Sequence, residues 1–79
     1  MLGKPKYVRG DIVQFEIIIN KILTTKTGQV AIIDAYGTFF DTADVSYDIY
    51  IPEEQTLYKH ISEGLIKDKL GHTEEVIDL

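Results

Sequence analysis

The sequence predicts a small all-β domain, and three observations carry that expectation. Val13, Phe15, Ile17 and Ile19 alternate with the polar Gln14 and Glu16, the period-2 pattern of a half-buried strand. Residues 29–36 are almost continuously apolar, as expected for a central strand covered on both sides. Turn-forming residues, among them Gly10, Gly28, Gly37 and Pro52, punctuate the chain at short intervals.

Taken in order, residues 1–6 form a flexible lead-in, broken by Gly3 and Pro5. Arg9-Gly10-Asp11 is a turn that opens the first strand; a Gly-Asp turn explains these residues without an adhesion motif. Ile18 and Ile22 interrupt the polar parity, so one end of this strand is covered on both faces or bends. Residues 24–28 have the polar, Gly-ending composition of a hairpin loop, and the second strand follows. Asp34 is the exception in that strand and needs a partner or an exit to solvent. Residues 37–45 form the longest irregular segment. Residues 47–51 are a third strand, with Tyr47, Ile49 and Ile51 on one face, and residues 52–55 are a turn. Residues 56–59 are a short fourth strand with an exposed edge open to pairing. Residues 60–70 fit two alternatives. One is a helix along Ile61, Leu65, Ile66 and Leu70, capped by Ser62 and stopped by Gly71, although Gly64 disfavours it. The other is a single helical turn over 61–64 and a final strand over 65–70. Residues 72–79 form a frayed acidic tail.

At 79 residues the chain is one domain, with the lead-in at 1–6, the β-body at 7–70 and the acidic tail at 71–79. A chain this short buries a limited core. Without cysteine it has no disulfide or thiolate metal site to reinforce that core. No secretory leader and no membrane-spanning apolar run are visible, so a soluble cytoplasmic protein is expected. Charge is unevenly divided: residues 1–26 carry five basic side chains against two acidic, residues 27–79 three against eleven. Between Lys26 and Lys59 there are six carboxylates, four of the five tyrosines and two of the three phenylalanines. Non-specific nucleic-acid binding needs Lys and Arg to neutralise phosphate, which this acidic, aromatic middle lacks.

Four short words suggest a more specific architecture: Gly10-Asp11-Ile12-Val13, Gly28-Gln29-Val30, Ser46-Tyr47-Asp48-Ile49 and His60-Ile61-Ser62-Glu63. In this layout residues 7–70 resemble an SH3-like barrel, and also short uncharacterised phage or mobile-element proteins of Gram-positive bacteria. The resemblance implies five strands with one short helical turn near residues 60–64. It specifies a fold rather than an activity. The acidic middle departs from the basic face usual in nucleic-acid-binding barrels.

The expected function is therefore a non-enzymatic protein-binding module, or an accessory or inhibitor protein, docking acidic and aromatic loops on a basic partner surface. Phe39, Phe40, Tyr50 and Tyr58 are the candidate anchors, and Asp41, Asp44, Asp48, Glu53 and Glu54 the candidate steering charges. Asp41, Asp44 and Asp48 lack the carboxylate spacing and central glycine of a calcium loop, so no metal or other cofactor is expected. His60 and Glu63 are the one local acid–base pair; lacking a supported nucleophile and a pocket, they are expected to tie down the last turn. The alternative is a nucleic-acid-binding barrel using Lys4, Lys6, Arg9, Lys21 and Lys26. No membrane partner is expected, and Ile18 and the tyrosines leave a homo-oligomer open.

Overall fold

The computed structural model describes residues 3–36 and 44–76. Five strands form one antiparallel sheet: β1 (Asp11–Ile19), β2 (Ile22–Asp34), β3 (Ser46–Ile51), β4 (Thr56–Ser62) and β5 (Ile66–His72). A 3-10 turn, Glu63–Leu65, separates the last two. The spatial order is β4-β3-β2-β1-β5, which leaves β4 and β5 at the edges. The fold is small and all-β.

The first hairpin differs from expectation. Residues 24–28 are not its loop but the middle of β2, where Thr24, Thr25 and Thr27 pair with Ile17, Glu16 and Gln14. Three β-branched threonines favour a pleated strand despite their polarity. Asn20 and Lys21 make the turn instead, at φ 50° and 66°. Two successive positive φ values give a two-residue turn whose twist matches the flanking strands. Asparagine suits that conformation; lysine adopts it at some cost.

Further along, β2 ends at Asp34, whose Oδ1 accepts the Tyr36 N–H at 3.1 Å. Strand β4 continues through His60 to Ser62, beyond the expected limit at residue 59. A short turn followed by a strand replaces the helix alternative for residues 60–70. The turn lies at Glu63–Leu65, slightly later than residues 60–64. Strand β5 runs to His72, so residues 71 and 72 belong to the sheet and not to a frayed tail. Thr73 N–H then donates to Gly10 O at 2.8 Å and holds the chain against the opening turn.

Four register shifts shape the sheet: two fall in the pairing of β1 with β5, and the other two flank β3. An extra residue in β2 at Ala31 shifts the register between Val30–Ile49 and Ile32–Asp48. The Arg9-Gly10 turn fastens this bulge: Gly10 N–H donates to Val30 O at 2.9 Å and Arg9 Nε–H to Ala31 O at 3.2 Å. The bulge on the other side of β3 lies in β4, opposite Asp48. There His60 has φ 60°, and its N–H donates to Asp48 Oδ1 at 3.0 Å. Bulges of this kind bend a strand and increase its twist, which lets a small sheet curl over its own inner face.

That inner face holds Val13, Phe15, Val30, Val45, Tyr47, Ile49, Ile51, Ile61 and Ile66, with Tyr7 and Tyr58 packed against them. Gly28 lies against β3. A Cβ there would sit 2.7 Å from Tyr50 O and 2.8 Å from Ile49 Cγ2, so only glycine fits. Tyr47 is fully buried, its ring edge-on to Tyr7 and its hydroxyl donating to Glu63 Oε2. The same carboxylate oxygen accepts the Lys6 N–H at 3.2 Å, tying the expected lead-in to the body.

Candidate functional site

The outer face of the sheet carries a row that crosses all five strands. Register places Gly71, Ile12, Gln29, Tyr50 and Leu57 side by side, on β5, β1, β2, β3 and β4 respectively. Directly opposed residues share a face, and their side chains touch across the ladder. Ile12, Tyr50 and Leu57 are half-buried, so their apolar surface remains in part accessible. This row has a cleft beside it of about 270 Å³, lined by Ile12, Thr27, Gly28, Gln29, Pro52 and Glu53. That volume lies below the roughly 300–1,000 Å³ of small-molecule pockets and suits one or two side chains of a partner. Glu53 is exposed in the β3–β4 turn and gives the cleft a negative rim.

Of the expected anchors Tyr50 therefore lies in the row, and of the expected steering charges Glu53 lies at the rim of the cleft. Glu54 follows in the same turn but is engaged: it accepts from Lys26 Nζ and from the Tyr58 hydroxyl. The Lys26 ammonium and then the Tyr58 hydroxyl hold the Glu54 carboxyl below its usual range. Tyr58, the other candidate anchor among the described residues, is half-buried against the core. It faces the same way as Ile49, and its ring packs edge-on to Phe15 at 5.9 Å between centroids. Asp44 accepts from Ser62 Oγ at 3.0 Å and from its own neighbour Val45 N–H, also at 3.0 Å. Asp48 caps the β4 bulge. Both carboxylates stitch the fold together. Phe39, Phe40 and Asp41 lie outside the described residues.

The basic residues of the alternative do not form one patch. Lys26 is paired with Glu54, and Arg9 is bound to the β2 bulge. Lys21, at the hairpin turn, is the length of β1 away from Arg9, roughly 25 Å at about 3.3 Å per residue. His60 and Glu63 also serve separate partners, Asp48 and Tyr47.

His72, expected to open a frayed tail, instead joins a cluster at the opening turn. Its Nδ1 lies 2.8 Å from Asp11 Oδ1 and its Nε2 3.2 Å from Glu74 Oε1. Asp11 is 1% exposed; it also accepts the Val8 N–H at 3.0 Å and faces Lys69 Nζ at 3.4 Å. Gly10, at φ 98°, permits this approach, because a Cβ there would lie 2.3 Å from Thr73 O. The Arg9-Gly10-Asp11 run is thus a structural turn whose acid is buried.

Among the described residues, no group of three or more His, Asp or Glu is set to hold a metal ion. No helix among them is long and apolar enough to cross a membrane. Ile12, Gln29 and Leu57 escaped the sequence reading. A signal existed for Ile12, which interrupts the polar parity of β1 as Ile18 does; Gln29 and Leu57 become neighbours only through register. Comparison with family models, curated proteins and solved structures finds no match for this chain.

Proposed function

We propose that this chain is a non-enzymatic protein-binding module with an SH3-like small barrel. Its outer-face row takes an apolar peptide segment that carries a Lys or Arg. The observation supporting this most directly is the cleft between Ile12 and Pro52, with Tyr50 in the neighbouring row and Glu53 at the rim. The apolar walls supply contact area, and Tyr50 supplies a rigid aromatic anchor. Glu53, on a chain of net charge −5, favours a cation on the partner and speeds its encounter. The acidic, aromatic character expected from the sequence is kept, but its centre moves to Tyr50 and Glu53, since Asp44, Asp48 and Glu54 are used within the fold.

The reading is tested by selecting peptides from a random display library on the immobilised protein. Enriched sequences should pair an apolar residue with Lys or Arg. Tyr50→Ala should weaken a selected peptide by about tenfold or more, as loss of an aromatic anchor does. Glu53→Lys should weaken it by several-fold and reduce its salt dependence. Equal affinity in wild type and both variants would sink the reading. The nucleic-acid alternative predicts a low-salt gel shift with RNA or DNA that is lost on replacing Lys4, Lys6 and Arg9; the separation of Lys21 from Arg9 and the pairing of Lys26 disfavour it.

A further inference from the structure

The second break in the polar parity of β1, Ile18, marks a separate surface. Ile18 pairs directly with Leu23, so both side chains lie on the outer face at the tip of the β1–β2 hairpin. They are 66% and 61% exposed, and Ile22, on the other face of the tip, is 67% exposed. Ile18 and Leu23 thus form an exposed apolar pair on one face of the tip, with Ile22 exposed behind them, a surface that a partner can cover.

The charges around Ile18 and Leu23 indicate what covers them. Glu16 lies two residues before Ile18, on the same face, and Lys21 occupies the turn beyond. The apolar pair thus sits about midway between an anion and a cation, each about 7 Å away along the hairpin. A uniformly basic or acidic partner would match only one of these charges. A second copy in antiparallel alignment matches both, because a twofold axis through the Ile18–Leu23 pair exchanges the two ends. Closed twofold contacts are self-complementary in this way.

We infer that the hairpin tip is a self-association surface: Ile18 and Leu23 of two copies pack across a twofold axis, and Lys21 of each copy faces Glu16 of the other. Glu16 already has Lys67 of its own chain at 3.6 Å, and its carboxylate accepts both cations. The β4 and β5 edges and the Tyr50 row are not used, so the dimer presents two peptide-binding faces.

Sedimentation velocity on the full chain, over a micromolar to millimolar series, tests this. Wild type should show a monomer–dimer equilibrium, and Ile18→Glu should abolish it. Glu16→Lys and Lys21→Glu should each weaken association by at least about tenfold, because each places like charges opposite one another. The double variant Glu16→Lys/Lys21→Glu restores opposite pairs and should return to within about threefold of wild type. Thermal melting of each variant confirms that it folds. A wild-type chain that stays monomeric throughout overturns the inference and assigns the tip to a different partner. A dimer that survives Ile18→Glu, or a double variant as weak as the singles, overturns it equally.

Discussion

Asp11 and Tyr47 set opposite pH limits on this fold. Burial alone would raise the Asp11 pKa, but the Val8 N–H, His72 and Lys69 together outweigh it and hold the carboxyl below the usual range. Its stabilisation is complete above the unfolded-state pKa of about 3.9 and is lost as pH falls through the folded-state value. Urea unfolding between acid and neutral pH should show this decline, and Asp11→Asn should flatten it; an unchanged acid limb in the variant would assign the decline to other carboxylates. Tyr47 acts at the other extreme. Burial first, then the Glu63 carboxylate, push its hydroxyl well above its ordinary value. Its stabilisation is full below about pH 10 and is lost as pH rises toward the folded-state value. Tyr47→Phe should therefore flatten the alkaline limb and cost about 1.5–3 kcal/mol at neutral pH, the worth of a hydrogen bond to a charged acceptor. The burial of Tyr47 was legible from its alternation with Ile49 and Ile51. The Asp11–His72 contact was not, because it joins residues at opposite ends of the chain.

At the scale of elements, the strands were more legible than their connections. Alternation identified β1 and β3, and apolar continuity identified the second half of β2. The first half of β2 is polar on composition and was misread as a loop, because the turn that pairs it uses Asn20-Lys21 with no glycine. Two substitutions test the local account. Gly28→Ala should destabilise by about 2 kcal/mol or more, since its methyl would press on Tyr50 O and Ile49 in a packed sheet. Gln55 closes the β3–β4 turn at φ 52°, an exposed position where glycine carries no Cβ strain. Gln55→Gly should raise stability by roughly 0.5–1 kcal/mol. Chemical denaturation measures both, and opposite signs would mean that the turn and strand geometries described here are wrong.

At the scale of the whole molecule, the basic and acidic halves of the sequence do not become two faces. Lys26 meets Glu54, Lys67 meets Glu16 and Lys69 meets Asp11, so several charges from the two halves are matched across the sheet. Bulk charge therefore does not locate a docking surface. The more telling signal was the polar parity of β1, broken at Ile12 and Ile18. One break lies in the Tyr50 row and the other in the hairpin tip. The most direct test of the peptide-binding surface is an amide chemical-shift titration of the labelled protein with a display-selected peptide. Shifts concentrated at Ile12, Gln29, Tyr50, Glu53 and Leu57, and absent at the hairpin tip, are predicted. Shifts confined to other parts of the sheet, with this row silent, would contradict the account.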